Sequence, residues 1–383
     1  MKTVKVWIGL AVVLLLVSCT QKEKSDSKSE IVRININLSD KTEVYDIGTD
    51  VEPEWDICAL ETNDDCLLGF VRQIYYKNDL YYILDLQASV ILVFNREGEF
   101  VSKLDKKGGG PDDYIQINSF TVVGKNVWVA GGTDLICYDE NWHAIERQRL
   151  TIFPVGDMLE INNTIYLATN WRGHNCQLVE YDIASKQQNC LITLPKYDPN
   201  IFKIEKSSQL TLSGDGVNSL FVQNFCDTIF RISDHRVAPQ YRFSFSERYE
   251  DIPIFSMEEV VKPTDKIRGI LGMYKTPNGI ILSFIDKTLQ YAVYNEEKAT
   301  CRVCTKFGYA GLGNLTSPGG CYFTHDGEMI WMYDRPEELL AMIDESKIKN
   351  EADRQKIHAV LSNIKEDDNP VLFRFKLKKD AGL

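Results

Sequence analysis

Residues 80–104 constrain the fold more than any other part of this 383-residue chain. They are rich in β-branched and aromatic residues and predict three short strands joined by two turns. The same layout recurs five more times before the C-terminus. Apolar anchors mark the first strand at Ile83, Trp128, Tyr166, Phe221, Ile281 and Ile330, and the second at Phe94, Tyr138, Tyr181, Ile232, Tyr294 and Phe375. The first five second-strand anchors follow one another after 44, 43, 51 and 62 residues, which is typical of a repeated small sheet.

Six copies of one antiparallel layout predict an all-β fold, a six-bladed β-propeller of four-stranded antiparallel blades. A pair of β-sandwiches is the alternative, but it does not account for the repetition. Residues 55–60 form a strand before the first copy, and residues 369–377 form the last strand. We expect the N-terminal strand to close the ring as the outer edge of the sixth blade, because that pairing removes an exposed sheet edge. Residues 31–47 are expected to run along the outside as extended chain.

A helical pattern over residues 336–366 interrupts the sixth copy. Pro336 suits a first helical turn. Apolar residues at helical spacing form one face, at Ile357, Val360, Leu361 and Ile364. Two arrangements of this small helical insertion are open: a helical pair packed on a blade edge, or a cap over the ring.

The first 18 residues have the basic start and short apolar run of a signal peptide. The small residues before Cys19 resemble a bacterial lipobox, in which the cysteine becomes the lipidated N-terminus; an ordinary secretory signal cut nearby is the alternative. Residues 19–30 are polar and predict a flexible tether, and residues 31–383 predict a single propeller domain. Thr20 favours the outer membrane. We therefore expect a cell-envelope protein anchored to the membrane through lipid on Cys19, on the periplasmic or the surface side.

The charge and the cysteines of the chain limit which binding partners and which cysteine chemistry we expect. The formal net charge of −12 argues against nucleic acid, which needs a basic footprint. Nine cysteines follow Cys19, and an odd number in an exported protein leaves at least one free thiol. Cys58 and Cys66 could bridge a short loop, whereas Cys301 and Cys304 would point to opposite faces of a strand. The cysteines in apolar strand patterns are expected to behave as small buried hydrophobes: Cys137, Cys190, Cys226, Cys301, Cys304 and Cys321.

Several segments resemble the six-bladed β-propeller lipoproteins abundant in gut Bacteroidetes, relatives of the NHL-repeat propellers. They are residues 83–85, 91–94, 98–100, 108–114 and 369–371. The family pattern in the fourth segment is Gly-x-Gly-Pro followed by an acidic residue and Tyr. Gly108, Gly110, Pro111 and Tyr114 match it, and Asp113 stands where the family usually has Glu. The resemblance covers residues 46–378 and implies the fold and the location; the family has no settled biochemical activity.

The propeller fold sorts the loops of the chain onto two faces. Each blade runs outward from the axis as strands A to D, so that B–C loops and D–A connections open on one face, which carries the long loops where function usually lies. Trp171 could stack on a sugar ring, Arg172 could bind a carboxylate or phosphate, and His174 could donate or accept a hydrogen bond; a solvated loop with Trp171 packed on a neighbouring blade is the alternative. The candidate ligand-binding residues on this face are Asp85, Asp134, Trp171, Arg172, His174, Asp227, Asp286, Asp334 and Arg335.

The five aspartates in this set lie at the ends of B strands or in the loops that follow. Asp is a natural turn former, and local capping is the favoured interpretation. If these side chains converge on the axis, they would suit Ca²⁺ as a cofactor. Gly108 to Gly110 look like a phosphate cradle but lack the Gly-x-x-x-x-Gly-Lys-Ser/Thr layout. They predict a structural turn between blades, together with Pro111, Asp113 and Tyr114.

No catalytic residue is indicated. The five histidines are scattered, and no Gly-x-Ser-x-Gly motif occurs. We therefore expect a non-enzymatic binding or scaffold protein that engages a glycan, peptide or protein through its B–C loop face. The alternative is a metal-dependent hydrolase or lyase, similar to a lactonase, with its site on the propeller axis.

Overall fold

The computed structural model describes residues 31–169, 176–193, 211–214, 219–222, 227–233, 235–246, 267, 270–318, 321–324 and 328–383. Three strands precede the first repeat: β1 (Val32–Ile36), β2 (Thr42–Asp46) and β3 (Val51–Ala59). Trp171, Arg172, His174 and Cys19 lie outside the described residues.

Six four-stranded antiparallel blades then follow in a propeller ring. Blade 1 contains β4 (Val71–Lys77), β5 (Leu80–Asp85), β6 (Val90–Asn95) and β7 (Phe100–Leu104). Blade 2 contains β8 (Ser119–Val123), β9 (Asn126–Gly131), β10 (Asp134–Tyr138) and β11 (Ala144–Arg149). Blade 3 contains β12 (Asp157–Ile161), β13 (Thr164–Ala168), β14 (Cys176–Asp182) and β15 (Gln188–Thr193).

The second half of the ring repeats this arrangement. Blade 4 contains β16 (Thr211–Gly214), β17 (Ser219–Val222), β18 (Thr228–Ser233) and β19 (Arg236–Phe245). Blade 5 contains β20 (Ile270–Thr276), β21 (Gly279–Asp286), β22 (Thr288–Asn295) and β23 (Thr300–Tyr309), with a short β24 (Leu315–Thr316) paired to β23. Blade 6 contains β25 (Cys321–Phe323), β26 (Glu328–Tyr333) and β27 (Val371–Leu377). The predicted fold class is confirmed.

The N-terminal strands complete the sheets. β3 pairs antiparallel with β27 and supplies the fourth strand of blade 6, as predicted for ring closure. β1 adds in parallel to the outer strand β19 of blade 4, and β2 adds in parallel to the outer strand β23 of blade 5. Residues 31–47, called the strap below, therefore lie along the outside as extended chain. Their alternating pattern explains why: Ile34 and Ile36 are buried, whereas Arg33 and Asn35 are exposed.

The hydrophobic core is divided among the seams between blades. Each pair of neighbouring blades shares one cluster of buried side chains. The cluster between blades 6 and 1, for example, joins Ile330 and Leu372 to Ile83 and Leu92. Because each blade has apolar residues on both faces, no blade can bury its surface without two neighbours, and only a closed ring satisfies all six.

The insertion in blade 6 contains two helices, α1 (Pro336–Met342) and α2 (Glu351–Leu361), and a 3₁₀ turn (Glu345–Lys347) between them. Helix α2 packs against β3, the outer strand of blade 6. Its buried Ile357 and Leu361 join the cluster that contains Trp55 and Phe373. Of the two predicted arrangements, the structure therefore favours the helical pair on a blade edge.

One cysteine prediction is wrong. Cys190 is not a buried free thiol but forms a disulfide with Cys176, joining strands β14 and β15 of blade 3. The pairing depends on strand register, which a repeat with irregular loops does not reveal. Cys58 and Cys66 are both free and buried. Burial raises the pKa of the Cys58 thiol to about 12, so it remains protonated and acts as an apolar side chain.

Candidate functional site

One face of the ring gathers the B–C loops and the D–A connections. In blade 1 the two kinds of loop contact each other directly, because the buried carboxylate of Asp85 accepts a hydrogen bond from the backbone N–H of Gly69 at 2.7 Å. Its second oxygen accepts from the N–H of Ala88 at 3.0 Å. Asp85 therefore holds two loops together and has its oxygens directed at backbone amides. We call this side of the molecule the loop face.

The glycine loop between blades 1 and 2 forms a closed turn on this face. The N–H of Gly108 donates to the carbonyl of Tyr114 at 3.0 Å, and Asp113 accepts from the N–H of Gly110 at 2.6 Å. A side chain at Gly108 would place its Cβ 2.3 Å from the Asp113 carboxylate, which explains the glycine. The buried hydroxyl of Tyr114 donates to the carbonyl of Ser89 at 2.8 Å.

Blade 2 also holds this loop, because the Tyr138 hydroxyl donates to the carbonyl of Asp112 at 2.8 Å. Arg147 on strand β11 donates to the carbonyls of Pro111 and Asp113. The amides of Gly108 and Gly110 thus bond within the protein, and the geometry is that of a latch between two blades.

Two of the five aspartates form ion pairs within their own blades. Asp134 lies 2.7 Å from the guanidinium of Arg147, and Asp227 lies 2.7 Å from that of Arg242. Both arginines stand on the outermost strand of the blade. These two aspartates therefore face the outer strands of their blades, and this geometry differs from the convergence on the axis that a shared cation would require.

The remaining described residues of the predicted ligand-binding set are Asp286, Arg335 and Asp334. Asp286 is buried and lies 3.7 Å from Lys41 of the strap. Arg335 donates to Glu338 at 2.9 Å on helix α1. Unlike the other described aspartates of the set, Asp334 lines a pocket on the loop face.

That pocket lies between blades 6 and 1 and has a volume of about 400 Å³. Leu67 and Phe70 form one wall, and Tyr322 and Met332 form another. The volume falls in the range of sites for small ligands or for a side chain of a bound partner. We call it the seam pocket.

The seam pocket is built on a rigid base. Asn369, which is buried, donates to the carbonyls of Glu61 at 2.6 Å and Cys66 at 2.9 Å. Its side-chain oxygen accepts from the N–H of Leu68 at 2.9 Å. One side chain thus ties the end of the helical insertion to the connection that enters blade 1. A pocket whose walls are fixed in advance loses little entropy when it binds.

An apolar surface adjoins the seam pocket. Leu67 and Phe70 are 61% and 57% exposed, and Leu86 and Ile115 are also exposed on the loop face. Backbone bonds hold these loops side by side: the N–H of Leu86 donates to the carbonyl of Phe70 at 2.9 Å. We call Leu67, Phe70, Leu86 and Ile115 the apolar rim. Exposed apolar side chains gathered on one face are typical of binding surfaces.

Aromatic side chains occupy the described part of the inner channel. Tyr75 on blade 1 donates to a backbone carbonyl of strand β12 on blade 3 at 3.3 Å. Tyr274 stacks on Phe323 with ring centroids 4.2 Å apart. Burial, with a smaller contribution from the carboxylate of Asp157, raises the pKa of Tyr274 although Arg72 opposes the shift. Its hydroxyl therefore stays protonated at neutral pH.

The described residues contain no group of three or more His, Cys, Asp or Glu side chains that could hold a metal ion. The helices that the structure describes include none long and apolar enough to cross a membrane.

The fold and this face define a six-bladed propeller with a preformed pocket on its loop face. The chain belongs to the family described as Domain of unknown function (DUF4934), whose profile matches residues 33–376. No curated protein matches the chain.

The solved structures that share the fold include two from Bacteroides. A protein from Bacteroides fragilis NCTC 9343, titled “Putative exported protein”, is 18% identical, with a TM-score of 0.63 over 91% of this chain and 100% of that one. A member of the DUF4221 family from Bacteroides vulgatus is 11% identical, with a TM-score of 0.51 over 86% of this chain and 99% of that one. At these identities the similarity shows the fold alone.

The sequence did not predict the apolar rim or the seam pocket. The signal was present in part: residues 66–70 place two leucines and a phenylalanine in a short connection between strands. Such residues look like core until the fold shows that they are exposed. Tyr322 and Met332 belong to strands that pattern alone assigns to the core.

Proposed function

We propose that this protein is a non-enzymatic binding or scaffold propeller of the cell envelope that engages a polypeptide through its loop face. The observation that carries the proposal is the apolar rim beside the preformed seam pocket. An interface of this kind combines exposed apolar anchors with a concave site fixed by hydrogen bonds.

A polypeptide suits this surface better than a glycan does. The rim consists of three aliphatic side chains and one phenylalanine, and aliphatic surface offers a sugar no hydrogen bonds. Glycan recognition would rely on an aromatic platform, the role predicted for Trp171, which lies outside the described residues. A peptide or protein presents the apolar side chains that such a rim can bury.

Export is supported by three independent observations. The N-terminal residues have the pattern of a signal peptide, and the chain holds a disulfide between Cys176 and Cys190, a bond typical of oxidising compartments. The similar Bacteroides fragilis protein is titled as exported. We propose further that Cys19 carries lipid and anchors the protein at the outer membrane, and that the family is related to NHL-repeat propellers.

Replacing the two most exposed rim residues tests the proposed function. The full chain is used to select a displayed library of random peptides, and the enriched peptides are measured against Leu67→Ser/Phe70→Ser. We expect the affinity to fall about tenfold or more, because burying a leucine or phenylalanine side chain contributes about 1.5–3 kcal/mol. Fluorescence anisotropy with labelled peptides gives the dissociation constants.

The matched control is Val101→Ser/Ile145→Ser. These residues are 51% and 55% exposed but lie on the outer strands β7 and β11, away from the loop face. Equal loss of affinity in both double variants would contradict the role of the rim. Enrichment of glycans instead of peptides, or turnover of a lactone or glycan that a chelator abolishes, would favour the hydrolase or lyase alternative.

A further inference from the structure

We infer that the seam pocket receives a cationic side chain, that of lysine or arginine, from the bound polypeptide. The inference rests on the proposed function and adds the chemistry of the ligand. It is carried by one arrangement: carboxylates stand at the mouth of a pocket whose walls are otherwise mostly apolar.

The topology of blade 6 places these carboxylates together. The helical insertion leaves strand β26 after Tyr333 and returns to strand β27 at Val371, and those two residues are paired across the sheet. The residues at the two ends of the insertion must therefore lie side by side. Asp334 stands at the outgoing end, and Asp367 and Asp368 stand at the returning end.

All three carboxylates line the seam pocket. Asp368 accepts a hydrogen bond from the N–H of Lys365 at 2.7 Å. Within the described chain, Asp334 and Asp367 have no ion pair with a lysine, arginine or histidine. Neighbouring Arg335 donates to Glu338 instead. The negative charge that these carboxylates bring to the pocket complements a positively charged ligand.

The apolar walls match the rest of a lysine or arginine side chain. Such side chains bury their methylene stems along apolar surface and keep the charged end at a polar site. Leu67 and Met332 can cover the stem, and Tyr322, which also lines the pocket, supplies an aromatic ring of the kind that attracts cations. The Tyr322 hydroxyl donates to the carbonyl of Val71 at 3.2 Å, which holds the ring in place. Burial raises the pKa of Tyr322 to about 12, so this donor persists at neutral pH.

The test compares two pools of fluorescein-labelled nonapeptides with randomised flanks. One pool carries Leu-Lys-Leu at its centre, and the other carries Leu-norleucine-Leu, which keeps the stem and removes the charge. Anisotropy titrations use the full-length protein and the variant Asp334→Asn/Asp367→Asn. We expect the wild type to bind the lysine pool at least about fivefold more tightly than the norleucine pool, and the variant to lose this preference.

The matched control is Glu97→Gln/Glu297→Gln, which removes two exposed carboxylates from turns on the opposite face. It should keep the preference for lysine, since its charges lie far from the seam pocket. Asp334 and Asp367, which the test variant changes, are both exposed. Thermal unfolding of each variant shows that the fold is retained.

Two outcomes would overturn the inference, and they are distinguishable. If both pools bind the wild type equally while Leu67→Ser/Phe70→Ser abolishes binding, the cationic ligand is wrong and the proposed function stands. If neither pool binds the wild type, the proposed function fails together with the inference. A preference for lysine that survives in Asp334→Asn/Asp367→Asn places the cation elsewhere and also overturns the inference.

Discussion

At the scale of single residues, the ring is closed by a partly buried ion network around Arg374. This arginine on strand β27 donates to Glu328 at 2.6 Å and to Asp56 on the N-terminal strand β3. Arg96 of blade 1 donates to the same carboxylate at 2.9 Å. The Arg374 guanidinium also lies 3.7 Å above the ring of Tyr76 in blade 1. Two blades and both ends of the propeller domain thus meet at one charged group.

Asp56 makes stability depend on pH. Burial would raise the pKa of this carboxyl, but the hydrogen bond from Arg96 and the charge of Arg374 outweigh it, so its pKa lies below the ordinary value near 3.8. A group whose pKa is depressed by folding stabilises the folded state above the unfolded pKa, and this contribution disappears as the pH falls through the folded pKa.

We predict that Asp56→Asn lowers the free energy of unfolding by about 1–3 kcal/mol at pH 7. The difference from the wild type should shrink as the pH falls below about 4, because Asp56 then becomes protonated in the unfolded chain, and it should disappear as the pH passes the lower pKa of Asp56 in the folded protein. Urea unfolding at pH 7, 5 and 3 measures this. The control Asp64→Asn changes an exposed aspartate and should behave as the wild type does. A difference that stays constant across these pH values would show that the ion network is not its source.

Individual partners of this kind could not be predicted from sequence. The recurring aspartates at B–C loops were found by position, but Arg147 and Arg242 lie 13 and 15 residues further along and become partners only through the pairing of strands. Conversely, the glycine loop could be interpreted, because Gly-x-Gly-Pro leaves few conformations that also bury Tyr114.

At the scale of elements, the strap widens two blades from outside. β1 and β2 each add a parallel strand to an edge that would otherwise present unpaired backbone groups to solvent. The sequence predicted extended chain along the outside here. It did not predict which blades receive the strands, since the alternation says which side is buried but not against what.

The strap should contribute measurably to stability through its buried isoleucines. Ile34 packs in the cluster between blades 4 and 5, with Tyr241 and Phe243 among its members. We predict that Ile34→Ala lowers the free energy of unfolding by about 2–5 kcal/mol, whereas Asn35→Ala on the exposed side changes it by less than about 0.5 kcal/mol. Urea denaturation of both variants decides the question. Equal effects would mean that β1 does not pack on blade 4 in solution.

At the scale of the whole molecule, the number of blades and the mode of closure were predictable, because a repeat must be closed and only one unpaired strand stood at each end. The seam pocket was not. It is formed where the first and last blades meet, and no single repeat contains it. Sequence periodicity reveals the strands that all blades have in common, whereas the seam pocket is lined by connections that differ from blade to blade.

Attachment to the membrane belongs to the same scale and can be tested on the whole chain. We predict that Cys19→Ser moves the protein from the membrane fraction to the soluble fraction of the cells that produce it, because the lipid would be attached at this thiol. Intact mass of the mature wild type should exceed the peptide mass by a diacylglyceryl group and an acyl chain. Cys301→Ser, which alters a half-buried thiol, serves as the control. Retention of Cys19→Ser in the membrane fraction would contradict lipid anchoring.

The seam pocket also forms late in the folding of each molecule. Asn369 and Cys66, whose contact builds its base, are 303 residues apart in the chain. Contacts at such separation form late, since the intervening chain must first be ordered. During synthesis the first blade is made long before its last neighbour exists. A molecule that has not yet finished folding therefore has no seam pocket, and the proposed binding site is complete only with the last blade.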